Sequence, residues 1–293
     1  MLIQKYLRDS TQRIATACIA LLPIVALSAG LSSTAQAAAV EPSVAENPTA
    51  AAPDAPALNS YVEVGGERHT LTGNQKNWNG AYVRGAWAQN EKNTWNYELV
   101  SARRFGDSGT YGSLGLTRVF NDDWYGSLAL GTSSGADLFF PSSRVDVFIH
   151  RKFLEKKNLI VNLGFTNYQA KDEHRDRILH LGADYYFDNP WIISAEFIAN
   201  NSSPGSVNAN YGYLNATYGR DKEFFVTMRY GSGREAYQLL GDSQVISGFH
   251  SSVASISYRK WIRKDLGINV VGEYYENPQY TRRGVQFGVF KDF

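Results

Sequence analysis

Beyond residue 60, apolar and polar residues alternate with a period of two through most of the chain, the signature of half-buried strands. In "WIISAEFIA", Trp191, Ile193, Ala195, Phe197 and Ala199 share one face, and Ser194, Glu196 and the following Asn200 share the other. "LIVNLGFTN" sets Leu159, Val161, Leu163 and Phe165 against Asn162, Gly164 and Thr166, and "LHLGADYYF" sets Leu179, Leu181, Ala183, Tyr185 and Phe187 against His180, Gly182, Asp184 and Tyr186. "VDVFIHRKF" and "LGINVVGEYYE" behave in the same way. Each run has about the 9–11 residues with which a tilted strand crosses the hydrocarbon layer. A soluble antiparallel sandwich would alternate as well. The length of the runs, the aromatics toward the ends of the apolar face and a polar face rich in Gly, Tyr and charge point instead to a membrane barrel with a wet or plugged lumen.

Polar turns framed by aromatics recur along the chain: Trp87 and Trp95, Phe120 and Trp124, Phe187 and Trp191, Tyr218 and Phe224, Phe153 before "LEKKN", Trp261 before "IRKD", and Phe293 at the last position. Their spacing of roughly 33 residues is about one long hairpin each. A 34-residue helical repeat would match the spacing, but the glycine content and the two-residue period exclude it. Trp87, Trp95, Phe120, Trp124, Phe153, Phe187, Trp191, Tyr218, Phe224 and Phe293 are expected to form a membrane-rim girdle. Strands are expected near 61–71, 77–89, 94–106, 110–120, 124–134, 143–154, 158–169, 176–187, 191–201, 209–219, 223–234, 250–262, 266–276 and 283–293. The fold class is therefore all-β, a closed antiparallel transmembrane β-barrel of about 14 strands, with 12 or 16 also compatible. In this scheme both ends of the barrel lie in the periplasm, the aromatic-framed turns are periplasmic, and "SSGADLFFPSS", "QAKDEHRD", "NNSSPGSVN" and "EAYQLLGDSQVISGFH" are longer outer loops.

The N-terminal segment sets the compartment. Lys5, Arg8 and Arg13 precede an apolar stretch from Ile14 to Leu31, and Ala35 and Ala37 offer a small-residue cleavage site. Residues 1–37 read as a signal peptide rather than an uncleaved anchor. Cys18, with Ala15 three positions before it and apolar residues after it, does not read as a lipidation site. The mature chain then has no cysteine, hence no disulfide and no thiolate chemistry. Residues 38–58, rich in Ala and Pro, read as a disordered tail, and 59–293 as the barrel. Removing Lys5, Arg8, Arg13 and Asp9 from the 29 basic and 28 acidic residues leaves 26 against 27. A basic nucleic-acid footprint is thus absent.

Alternation assigns Glu63, Glu67, Arg84, Glu98, Arg104, Asp146, His150, His180, Asp184, Glu196, Arg229, Arg259 and Glu273 to the lumen, with Tyr82, Tyr168, Tyr186, Tyr213 and Tyr275. Such a set either guides a sugar chain by stacking and hydrogen bonding or cross-pairs and fills the barrel, because an unpaired buried charge is costly. For an enzyme, the candidates are His250 with Ser247, Ser251 and Ser252, and His174 with Glu173 and Asp176. Ser251 and His250 should, however, point to opposite strand faces, and no G-x-S-x-G occurs. "KDEHRD" reads as a charged outer loop rather than a metal site. No catalytic residue, metal or cofactor is expected. A third class is a surface receptor or structural barrel. The loop "REAYQLLGDSQVISGFHS", with Leu239, Leu240, Val245 and Ile246, is a candidate plug or lid.

Several stretches resemble the YaiO family of outer-membrane barrels: "SYVEVGGERHTLTGNQKNWNGAYV", "NYELVSARRFGDSGTYGSLGLTRVFNDDWYGSLALG", "GADLFFPSSRVDVFIHRKF" and the closing "RRGVQFGVFKDF". The resemblance implies placement in the Gram-negative outer membrane and no established catalytic residues. It also implies a distant similarity to the barrel domains of exopolysaccharide-secretion porins, hence a channel-like or accessory role in envelope or exopolysaccharide export. Expected partners are outer-membrane lipid and lipopolysaccharide, polysaccharide or export components, and the barrel-assembly machinery. The last would read the C-terminal strand, in which Val285, Phe287, Val289 and Phe293 alternate and Lys291 departs from the pattern with a stem able to snorkel.

Overall fold

The computed structural model describes residues 60–240 and 244–293. The proposed signal peptide and tail lie outside them. Fourteen antiparallel strands close into one barrel. They are β1 (Tyr61–Leu71), β2 (Trp78–Asn90), β3 (Asn93–Arg104), β4 (Asp107–Val119), β5 (Trp124–Ser134), β6 (Ser143–Phe153), β7 (Leu159–Gln169), β8 (Arg175–Tyr186), β9 (Trp191–Ser203), β10 (Val207–Arg220), β11 (Phe224–Leu240), β12 (Gln244–Trp261), β13 (Leu266–Glu276) and β14 (Thr281–Asp292). Every strand pairs with its sequence neighbour, and β1 closes on β14 from Tyr61↔Asp292 to Leu71↔Arg282. Closure gives every strand a partner on both sides, which a lipid-exposed sheet requires because no water is present to satisfy an open edge. The rim where β1 starts and β14 finishes is termed proximal, and the opposite rim distal.

The partition of side chains is that of a membrane barrel. Leu181, at the middle of β8, is 55% exposed, whereas Asp146 inside is 1% exposed. Leu114, Leu130, Leu163, Leu214, Met228 and Ile256 extend the outward apolar band around the wall. In β14, Val285, Phe287, Val289, Lys291 and Phe293 all point outward, while Phe290 is fully buried inside. The band holds aromatics at mid-strand too, such as Phe165, Phe197 and Phe287, so rings are not confined to the rims.

Two expectations are corrected. The distal connections are short, for example Phe105–Gly106 between β3 and β4 and residues 204–206 between β9 and β10. Of the four segments expected as long loops, "SSGADLFFPSS" and "QAKDEHRD" do hold connections, residues 135–142 and 170–174, whereas "NNSSPGSVN" largely continues its strands, because ladder pairing from Val207↔Ser202 onward satisfies its backbone. The presumed longest loop is a hairpin: β11 and β12 stay paired as far as Leu240↔Gln244. Residues 135–142, between β5 and β6, form the longest distal connection.

Glycine lets inner rings lie against the wall. A Cβ on Gly164 would lie 2.1 Å from the Phe148 ring, and one on Gly231 would lie 2.4 Å from that of Tyr213. These rings therefore lie flat over glycine on the neighbouring strand. The two faces predict opposite tolerances. Leu181→Arg should lower the unfolding free energy in lipid by about 2–4 kcal/mol, and Ser194→Thr, on the inner face, should change it by less than about 0.5 kcal/mol. Urea titration of vesicle-folded protein measures both.

Candidate functional site: the barrel lumen

Near the proximal rim the lumen is organised around Glu63, which is 0% exposed. Its carboxylate accepts hydrogen bonds from Arg84 Nη2 (2.7 Å), Tyr82 Oη (2.9 Å), Arg259 Nη1 (3.1 Å) and Asn269 Nδ2 (3.3 Å). The donors come from β2, β12 and β13, so one side chain ties together strands on both sides of the β1–β14 seam. The Arg259 guanidinium lies 3.4 Å from the Phe290 ring centroid and 5.1 Å from that of Trp261. Phe225, Trp261 and Phe290 form an apolar cluster beneath it. Trp261, read with the turn-framing aromatics, is thus an inner residue; it is 8% exposed and donates from Nε1 to Asp292 (2.7 Å). The other rim aromatics do face outward around the proximal turns. Trp87 pairs with Trp95, Trp191 packs on Tyr218 at 5.0 Å, and Arg151 stacks on Trp124 and Phe153. Phe120, Phe187 and Phe293 are exposed, and Phe224 packs on Tyr218 and Tyr258.

At mid-depth the inner side chains keep accessible surface. Ser113, Asn162, Ser194, Asn215, Thr227 and Ser255 are half-buried, as are Glu98, Asp184, Glu196 and Arg229. On β9, Ile192 and Ile198 flank this belt and are buried; on β12, Arg259 and Val253 do the same. A polar chain runs along the wall beside it. Arg144 binds Asp146 in bidentate fashion (2.8 and 2.9 Å), and Thr166 Oγ1 donates to Asp146 (2.5 Å) and contacts His180 Nε2 (3.1 Å). His180 Nδ1 meets Glu196 at 2.9 Å, and Arg229, 4.0 Å from Glu196, stacks on Tyr213. Bidentate pairing of Arg144 with Asp146 and the hydrogen bonds of Thr166 and His180 offset the desolvation of these charges. His150 is buried and stacked on Tyr125 at 4.3 Å, and neither of its ring nitrogens has a hydrogen-bond partner among the described residues.

The distal end is filled by two inward-turned segments. The first is the connection 135–142. Phe139 and Phe140, both buried, pack with Tyr82, Val100, Ala102 and Tyr111, and Arg104 lies over both rings. Asp137 holds the loop in place: its carboxylate accepts from Phe140 N (2.9 Å) and Lys171 Nζ (2.6 Å). The second is the β11–β12 hairpin. Leu240 and Ile246 share a cluster with Trp78, Phe105, Tyr275 and Tyr280, while Gln238 bonds Tyr280 and Asn277. Beside them Trp78 is flanked by Arg104 (4.8 Å) and Arg282 (4.3 Å), Glu67 meets Arg104 (3.4 Å), and Glu273 meets Arg282 (2.8 Å). Sequence reasoning placed the occluding segment at the hairpin alone. The apolar pair Phe139–Phe140 in an otherwise polar connection was the available signal for the other, since two adjacent aromatics in a loop need somewhere dry to go.

The histidine–serine candidates do not converge. His250 is exposed on the outer face, whereas Ser251 is buried inside and bonds Glu235. His174 pairs with Asp172 (2.9 Å) and packs on Tyr237, and Asp176 accepts from Asn200.

A closed barrel with a lipid-compatible exterior and an ion-paired interior fits one family model, the YaiO membrane beta barrel domain, over residues 59–238. The chain belongs to the YaiO family. Its fold is similar to that of solved outer-membrane barrels at low sequence identity. A CymD monoaromatic hydrocarbon channel aligns with TM-score 0.54 and 8% identity over 80% of this chain and 88% of that one. A bacterial polysaccharide outer membrane secretin aligns with TM-score 0.50 and 8% identity over 80% and 99%. An anion-selective porin from Comamonas acidovorans aligns with TM-score 0.47 and 9% identity over 80% and 98%. No curated protein sequence matches the chain. This YaiO protein is thus an outer-membrane β-barrel.

The Glu63 cluster makes an asymmetric prediction. Glu63→Ala strands Arg84 and Arg259 without their carboxylate and should cost about 3–5 kcal/mol. Glu63→Gln keeps acceptor capacity and should cost less. Thermal unfolding followed by heat-dependent electrophoretic mobility ranks the two variants.

Proposed function

We propose that this YaiO barrel is a channel-like or accessory component of envelope or exopolysaccharide export, held narrow at rest and oriented with its proximal rim in the periplasm. The observation that carries the reading is the half-buried belt of hydroxyls, amides and carboxylates at mid-depth, capped distally by a loop held by the Asp137–Lys171 ion pair. A hydroxyl-rich chain passing the belt exchanges hydrogen bonds with Ser113, Asn162, Ser194, Asn215, Thr227 and Ser255 without meeting an apolar trap. Fourteen strands enclose more space than the eight-stranded barrels that side chains fill, so the inward loop and the β11–β12 hairpin are what narrow the path. Of the barrels that share the fold, one is by its description a polysaccharide outer membrane secretin and another a monoaromatic hydrocarbon channel.

Planar-bilayer recording tests the proposal. Wild-type protein should conduct weakly. Lys171→Ala or Phe140→Ala, each of which loosens the 135–142 loop, should raise single-channel conductance several-fold, and neutral oligosaccharide should block the opened variants. Equal conductance in all three proteins, or opened variants indifferent to oligosaccharide, would overturn it.

A further inference from the structure

The outward face of β7–β10 near the distal rim departs from the apolar band below it. Two cross-strand rows are polar. In the first, Asn167, Arg177, Asn201 and Asn208 are register neighbours across four strands; in the second, Gln169 and Arg175 pair. Arg175, Arg177, Asn201 and Asn208 are exposed. Directly beneath lie Phe165, Leu179 and Ala199, the top of the lipid-facing band.

The cations of this patch are uncompensated. Arg175 Nε donates to Gln169 Oε1 (2.7 Å), and Asn201 Nδ2 donates to Asn208 (2.9 Å). Among the described residues no carboxylate lies within ion-pair distance of either arginine. Three cations of the proximal turns, by contrast, have carboxylate partners: Lys156 with Asp188, Lys157 with Asp123 and Lys222 with Asp292. Guanidinium groups standing at the edge of a hydrocarbon band meet the headgroup layer, where planar bidentate donors suit phosphate. Amides on both sides add donors and acceptors suited to a sugar.

We propose that this patch binds the headgroup of a phosphorylated glycolipid, with Arg175 and Arg177 on phosphate, the asparagines on the sugar, and the acyl chains lying on Phe165 and Leu179. The occupant is a lipid rather than free phosphate because the cationic rows are continuous with apolar surface that only acyl chains can cover.

Native mass spectrometry of the full barrel in detergent micelles, titrated with lipid A as the phosphorylated glycolipid, tests the site. The wild type should retain the diphosphorylated form more strongly than the monophosphorylated form. Arg175→Gln with Arg177→Gln should weaken retention about tenfold, as expected for losing charge-assisted pairs, while Arg118→Gln with Arg220→Gln, on the proximal outer face, should leave it unchanged. Circular dichroism confirms that each variant is folded. Raising salt on the wild type gives a readout that needs no variant: retention of the diphosphorylated lipid should fall. Equal retention by both double variants, retention indifferent to salt, or displacement of the lipid by excess inorganic phosphate would overturn the assignment.

Discussion

A carboxylate shut away from solvent sets the terms for this barrel. Glu63 is buried on the first strand, and the groups that make its burial tolerable come from β2 on one side and from β12 and β13 on the other, across β14. Taking such a charge out of water is expensive unless its donors are in place, and they are in place only when the sheet has closed on itself. The electrostatics of one side chain and the topology of the whole sheet are therefore one condition. Open the seam and Glu63 loses Arg259 and Asn269 at the moment the edge strands lose their ladder partners.

The interior follows from the same constraint. Each inward charge must find a partner within a curved wall, and the sequence supplies these in relays: Arg144 to Asp146, Thr166, His180 and Glu196 on one side, Arg282 to Glu273 and Arg104 to Glu67 on another. Aromatic rings complete the packing by lying over glycine, parallel to the wall rather than projecting from it. Between the buried ends lies the mid-depth belt whose side chains stay wet.

Much of this architecture was legible from alternation. All fourteen strands and the facing of Leu181, Ser194 and the β14 apolar positions follow from a period of two, since the lipid and lumen impose opposite chemistry on successive residues. That Ser251 and His250 face opposite sides of their strand follows too. What alternation does not carry is anything that depends on a distant strand. The partners of Glu63 lie up to 206 residues away in sequence. The lengths of β11 and β12 escaped because Tyr237 and Gln238 read as loop residues until Pro204, Asn277 and Tyr280 are there to receive them. Trp261 resembled a rim aromatic by its place before a turn, but Phe225 and Phe290 give it an inner site and Asp292 takes its N–H. The inward fold of residues 135–142 needed Tyr111, Arg104 and Lys171 in three dimensions.

The brevity of the distal connections has a wider meaning. With β3 turning into β4 over Phe105–Gly106 and β9 into β10 over residues 204–206, hardly any backbone stands clear of the headgroups. A macromolecule reaching the distal rim would meet a nearly flush disc, with the 135–142 connection and the β11–β12 hairpin both packed into the lumen rather than raised above it. Another protein docking at that rim would have only short turns to grip, and a protease would find little extended backbone there to thread into its cleft.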